Sequence, residues 1–415
     1  MHSWKVIVAD VSKELAESKV KNHPNGEAIA FDLNNETQRN ELINNASVVV
    51  SLLPPSMHYQ VAFTCFRFSV SLFTASYVSQ EIADLHEEAT KKNMLILMEC
   101  GLDPGIDHMS AVKELELIKE KKGILRSFKS YTGGLIAPES DDNPWHYKIT
   151  WNPRNVVTAG KGTSKFLDNG KVVEVGYQDL FSQTETIFVK GFGEFEGYPN
   201  RDSLSYLNTY QLSDLQTFIR GTLRRPGYCS SWNILVKMGY TNDEKPIVKQ
   251  GMSFLDLSSE LTGIKKKEDI LIYLKLLGAN NSDIEKIEWL GCLSDEPIEL
   301  ETGTSADALQ LLLERNWKLK KADKDMIVMQ HQFEYEVEGR MKKLTSSLVV
   351  IGENEHYTAM AKTVGLPLAI SVKLFLEEKI SLKGVRIPIH KEIYLPILNE
   401  LESDFAIRFA NEETH

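Results

Sequence analysis

Over the first hundred positions, apolar residues cluster in short unbroken runs rather than alternating. Trp4–Ala9, Glu27–Phe31, Ser47–Leu53, Ser69–Ala75 and Met94–Met98 read as strands. Between them, Ser12–Lys21, Glu36–Asn44, Met57–Arg67 and Gln80–Asn93 have helical composition. Strands that are apolar on both faces, alternating with short helices, predict a parallel sheet covered on both sides, a Rossmann-like α/β domain. After His108 the pattern changes. A helix is predicted over Ser110–Lys122, and strand-like runs such as Tyr147–Trp151, Lys171–Val175 and Thr186–Lys190 alternate with Gly, Pro and Asn turns as far as residue 250. Phe254–Lys324 is mostly helical, with Ile270–Leu277 and Ser305–Leu313 the clearest helices. Met326–Val337 and Leu344–Ile351 predict a hairpin around Glu338-Gly339-Arg340, and His356–Val364 and Leu368–Glu378 two helices around Gly365-Leu366-Pro367. An α/β domain is thus followed by an α+β domain with a helical insertion.

At 415 residues the chain is too long for one core, and its 42% hydrophobic and 25% charged content is that of a globular enzyme. The 47 basic residues against 58 acidic ones disfavour sequence-independent nucleic-acid binding. No run approaches the roughly 18 apolar residues of a membrane helix, and the N-terminus carries no signal-peptide pattern, so a cytoplasmic protein with no membrane partner is expected. Cys65, Cys100, Cys229 and Cys292 contain no CxxC pair, so neither a thiolate metal site nor a disulfide scaffold is expected.

In a dinucleotide-binding domain, an acidic residue holds the ribose hydroxyls about 20 residues after the glycine-rich turn of the first strand. Asp10, ending an apolar strand, fits that residue and favours NAD over NADP, because a carboxylate repels a 2′-phosphate. The first strand and its turn are therefore expected ahead of Met1. No Gly-x-Gly-x-x-Gly occurs elsewhere: the glycines of Gly191–Gly197 are misspaced, and Gly160-Lys-Gly-Thr163 lacks the phosphate-loop spacing. Without a central strand, two neighbouring strand edges are expected to be unpaired. Asp32, Leu53 and Pro54, at the ends of the next strands, complete the cofactor-binding set.

Met98-Glu-Cys-Gly-Leu-Asp-Pro-Gly-Ile-Asp-His108 resembles the signature of the saccharopine dehydrogenase (saccharopine reductase, glutamate-forming) family. Leu52-Leu-Pro-Pro55 with His58, Ala75-Ser-Tyr-Val-Ser79, Gly133-Gly-Leu-Ile-Ala-Pro-Glu139 with Asp142-Asn-Pro144, Phe195–Ser203, Arg220-Gly-Thr-Leu-Arg224, Met329-Gln-His331 and Thr358–Pro367 agree with it in order. The resemblance implies NAD or NADP as cofactor and a reversible reaction. Saccharopine, the oxidised coenzyme and water stand on one side, glutamate and aminoadipate semialdehyde on the other. It also implies a homodimer with a small amino-acid substrate. The corresponding domains are a Rossmann-like domain over 1–108 and 355–415, a substrate-binding and dimerisation domain over 109–250 and 326–354, and a helical insertion over 251–325. A related imine-reducing synthase making carboxylated polyamines, or a non-catalytic ligand-binding homologue, are the alternatives.

Saccharopine has three carboxylates, so guanidinium clamps are expected, at Arg201, Arg220 and Arg224. Gly221 predicts a loop or helix start presenting the latter two. Ser76 and Tyr77 follow a buried strand at its carboxyl end, where open α/β sheets bind ligands, and Ser79 caps the next helix. Asp103 and His108 are the candidates for proton transfer, and Asp107 for capping a helix. Cys100 is expected to line the pocket as a small buried residue, since hydride chemistry needs no nucleophile.

Overall fold

The computed structural model describes residues 3–212 and 214–414, in two compact units: Met1–Gly105 with Pro367–Tyr394, and Ile106–Leu366 with Leu395–His415. Elements are numbered along the chain.

The first unit is parallel throughout. β1 (Val6–Asp10) pairs with β2 (Gly26–Ala30), while β3 (Val48–Val50), β4 (Ser71–Phe73), β5 (Leu95–Leu97) and β16 (Gly384–Arg386) form a second sheet in the order β16-β5-β4-β3. Every residue of β4 and β5 is buried, which is why these strands read as unbroken apolar runs. β1 and β3 each have one partner among the described residues, so each keeps an unpaired edge, as expected; Val6 and Val50 are 57% and 44% exposed there. The helices start where side chains can take up orphan amides. Ser12 accepts from Leu15 N at the start of α1 (Lys13–Val20), and Asn35 from Gln38 N at α2 (Glu36–Asn44). α3 (His58–Phe68) buries Val61, Ala62 and Cys65 against Leu72 and Ile96 of the sheet. The predicted helix over Gln80–Asn93 is two helices, α4 (Gln80–Ala83), capped by Ser79 as anticipated, and α5 (His86–Lys91).

The second unit is built on a mixed sheet of nine strands among the described residues. β6 (Ile124–Ile136) lies at its centre, parallel to β11 (Thr217–Arg224) and antiparallel to β14 (Asp325–Val337). β15 (Arg340–Ile351) follows β14 through a two-residue turn, Glu338 and Gly339, both with positive φ, the geometry that matches strand twist. β10 (Gly193–Pro199) and β9 (Glu185–Val189) extend the other side, β7 (Thr163–Asp168) and β8 (Lys171–Gly176) pair off the main path, and β12 (Pro246–Lys249) and β13 (Thr302–Thr304) form a separate ribbon. Trp145, Trp232, Trp317, Tyr147 and Tyr228 interlock in the core with mostly edge-on or tilted rings.

Four further expectations differ from the structure. Arg220-Gly-Thr-Leu-Arg224 is strand, not loop or helix start. Gly221 is required because the Tyr131 ring and the Tyr198 carbonyl lie 2.3 and 2.6 Å from where a Cβ would stand. Tyr147–Trp151 forms no strand; Tyr147 drops into the aromatic core while Ile149 N donates to Trp317 O. Gly365 and Pro367 do not break the chain into two helices, and one helix runs from Ala359 to Leu376. Its length and apolarity equal those of a membrane span, which inspection of the chain had not suggested; its start is fixed by Asp325, whose carboxylate accepts from Ala359 N and Met360 N. Lastly, of the stretch 355–415 expected in the first unit, Pro367–Tyr394 belongs to it, and the residues on either side belong to the second unit. β17 (Ala410–Thr414) pairs with β15, and Glu413 bridges Lys121 and Lys342 at 2.9 and 2.8 Å.

Candidate functional site

In the first unit the predicted cofactor-binding residues stand at or just beyond the carboxyl ends of β1, β2 and β3. Asp10 Oδ1 accepts from Ser12 N at 2.9 Å, Asp32 Oδ1 from Asn34 N at 2.9 Å, and Leu53 and Pro54 are half-buried and exposed. These strand ends carry apolar and acidic groups of the kinds that suit a dinucleotide, although no Gly-x-Gly-x-x-Gly turn stands among the described residues to receive its pyrophosphate. Beyond β4, Ser76 Oγ lies 2.6 Å from His58 Nε2, and His58 Nδ1 lies 2.9 Å from Ser51 Oγ. Tyr77 donates to Asp103 Oδ1 at 3.2 Å. Cys100 is fully buried, its Sγ directed at Pro367 O, and burial pushes the thiol up to about 12, so it is an inert packing residue.

The second unit holds a buried polar network. Asp107, in the first turn of α6 (Ile106–Glu120), meets Arg220 Nη2 at 2.6 Å and His108 Nδ1 at 3.6 Å. His108 Nδ1 also lies 2.5 Å from the Tyr210 hydroxyl, and Tyr206 lies under both the His108 ring and the Arg220 guanidinium. His108 is wholly buried, and Asp107 is an ion-pair partner within the helix rather than its cap. On the same helix Ser110 Oγ donates to Ile106 O at 2.6 Å, so the 2.7 Å contact with His331 Nε2 needs the imidazole as donor. His331 Nδ1 then has no partner, and burial, opposed by Asp107, pulls this histidine down to about 4. An unfolded chain takes up this proton as pH falls through about 6.5, whereas the folded chain does so only near 4. Stability contributed by neutral His331 is thus complete above the higher value and lost between the two. We expect His331→Gln to flatten the fall in urea midpoint over that window, by at most about 3 kcal/mol; equal slopes in both proteins would refute this.

Arg224 stands apart from Arg220. It is 3% exposed, and its guanidinium carbon lies 5.1 Å from the ring centres of Tyr147 and Tyr228 and 5.9 Å from that of Tyr198. Its Nη1 donates to Leu223 O, its Nε has no acceptor, and no carboxylate among the described residues pairs with it. Glu196, its cross-strand neighbour, instead accepts from Gly227 N and Cys229 N. Burial pushes the Tyr198 phenol up to about 12 and raises the Tyr228 phenol well above its ordinary value, so neither supplies a negative charge. Arg201, in a left-handed turn, lines a cavity of about 670 Å³ with Arg154, Lys161 and Asp243.

Sequence profiles of the saccharopine dehydrogenase NADP binding domain and the saccharopine dehydrogenase C-terminal domain match residues 1–97 and 101–407. The chain belongs to the saccharopine dehydrogenase family. Membership makes it a saccharopine dehydrogenase-like, NAD(P)-dependent oxidoreductase acting on CH–NH bonds, from a family of lysine metabolism. A saccharopine dehydrogenase [NADP(+), L-glutamate-forming] of Schizosaccharomyces pombe is 33% identical over 427 aligned residues, covering 98% of this chain and 93% of the relative. The mitochondrial alpha-aminoadipic semialdehyde synthase of Mus musculus is 36% identical over 381 residues, where the chain spans 41% of the relative's length. The solved apo saccharopine dehydrogenase (L-Glu forming) of Saccharomyces cerevisiae superimposes with a TM-score of 0.90 at 32% identity, covering 99% of this chain and 94% of that one.

Within this saccharopine dehydrogenase fold, sequence reasoning named Arg224 but not its cage, because Tyr147, Tyr198 and Tyr228 come from three separate segments. It quoted His58 without giving it a role. The signal was present: a histidine just after a Pro-Pro strand end, with serines closing the strands on either side.

Proposed function

We propose that the protein catalyses the reversible oxidation of saccharopine. Saccharopine, NADP⁺ and water give glutamate, aminoadipate semialdehyde, NADPH and a proton. The observation that carries this reading is the buried Arg224 without a carboxylate partner among the described residues. A guanidinium removed from water at a cost of several kcal/mol is completed by an anionic ligand, and saccharopine brings three carboxylates. Arg201, at the wall of an open cavity rich in cations, receives a second. Bound nicotinamide dinucleotide supplies the hydride chemistry. Asp103, which accepts from the Tyr77 hydroxyl, takes the proton of the secondary amine in this reading. Arg220 serves Asp107 rather than the substrate. The names of the fungal relatives support NADP, against the preference for NAD drawn from Asp10.

The test is saccharopine-dependent reduction of NADP⁺ and of NAD⁺ by the purified chain, with binding of saccharopine measured by calorimetry. Turnover that releases glutamate is expected. Turnover of a carboxylated polyamine in preference to saccharopine, or saccharopine binding without reduction of either coenzyme, would replace this reading.

A further inference from the structure

His58 is used by nothing described so far. It is 2% exposed at the first position of α3, between two serines, and its ring bridges Ser51 Oγ at 2.9 Å and Ser76 Oγ at 2.6 Å. Burial and the positive end of the helix both oppose a charged imidazole, so the ring is neutral and carries one N–H. Two arrangements are then open. With the proton on Nδ1, the ring donates to Ser51 and accepts from Ser76. The Ser51 hydroxyl hydrogen would then need another acceptor, in a side chain that is 3% exposed and makes no other side-chain hydrogen bond among the described residues. With the proton on Nε2, Ser51 donates to Nδ1, Nε2–H donates to Ser76, and every buried hydrogen has an acceptor. Since an unmet buried donor costs about 1–3 kcal/mol, the second arrangement wins.

That arrangement has a consequence for Ser76. With one lone pair of Oγ occupied by Nε2–H, its own O–H turns away from the histidine, and Ser76 is only half-buried at the strand rim. We propose that His58, braced by Ser51, is a positioning residue that presents the Ser76 hydroxyl as a fixed donor to a carboxylate oxygen of the amino-acid substrate. This rests on the function proposed above. A hydroxyl already turned to its task forms this bond without losing rotor freedom, and a hydrogen bond to a charged acceptor contributes about 1.5–3 kcal/mol.

The experiment has a spectroscopic arm and a binding arm. Nitrogen-15 NMR of the imidazole in the unliganded chain should find His58 as the neutral Nε2–H tautomer, and the Nδ1–H tautomer would overturn the proposal. Saccharopine affinity should fall about 10- to 100-fold in both Ser76→Ala and His58→Phe, and no further in the double variant. His58→Gln, whose amide nitrogen reaches as far as Nε2, should recover most of the loss, and the KM for the coenzyme should barely move. Additive losses, an unchanged affinity in His58→Phe, or a loss that falls on the coenzyme instead would each overturn it. Should His58→Phe fail to fold, the tautomer and the glutamine variant still decide. An unmodified chain that binds no saccharopine fails at an earlier point, and so is told apart as a failure of the proposed function.

Discussion

Arg224→Met is expected to abolish useful saccharopine binding while leaving the protein as stable as before, or more so. These two effects pull apart because the charge is buried without an opposite charge. Replacing the guanidinium by an apolar side chain of similar length removes its desolvation penalty, and exchanges of this kind are commonly neutral or stabilising by about 1–4 kcal/mol. Cation–π contacts with Tyr147 and Tyr228 oppose this, at about 0.5–2 kcal/mol each, and the thioether packs on the same rings. With ligand present the sign reverses. Losing one partner of a desolvated guanidinium–carboxylate pair costs about 2–5 kcal/mol, a KM increase of about 30- to several-thousand-fold. Thermal unfolding of the unliganded variant, beside its saccharopine kinetics, checks both halves. A large drop in the unfolding midpoint with KM unchanged would make Arg224 a structural residue.

What could be read from the chain beforehand follows from which interactions are local. β4 and β5 were legible because a strand buried on both faces has to be apolar at every position. The β14–β15 hairpin was legible because Glu338-Gly339 is itself the turn. Gly221 misled because glycine has two uses: here it clears the Tyr131 ring in an extended strand, where a loop or helix start had been inferred. Pro367 misled because one missing amide does not stop a helix of otherwise continuous apolar packing, with Leu368, Ile370 and Leu374 buried beyond it. The site residues were chosen by type, from the chemistry that a tricarboxylic substrate would demand. Their partners were not visible, since the tyrosines around Arg224 and the serines around His58 are joined by strand order rather than by spacing. Arg220 and Arg224 share one face of β11, four residues apart, yet only the tertiary packing gives the first a carboxylate and leaves the second without one.

That difference yields the second large effect. Asp107→Asn should destabilise the folded chain by about 3–5 kcal/mol, because it leaves the Arg220 guanidinium buried beside a neutral amide. Side-chain exposures of 2% for Asp107 and 11% for Arg220 put the pair where solvent screens little, and their 2.6 Å contact is a charge-assisted hydrogen bond. Loss of a negative charge in the first turn of α6 adds about 0.3–1 kcal/mol. Stacking of Arg220 on Tyr206, at 4.1 Å, is retained and softens the loss without cancelling it. The midpoint of urea unfolding, with an unchanged slope, measures the effect. Removing both charges, in Asp107→Asn with Arg220→Gln, should cost less than the two single changes added together, since no lone charge is then left behind. If Asp107→Asn instead cost under about 1 kcal/mol while Arg220→Gln abolished saccharopine binding at full stability, Arg220 would be the substrate clamp that its sequence motif suggested, and the division of labour between the two arginines would have to be reversed.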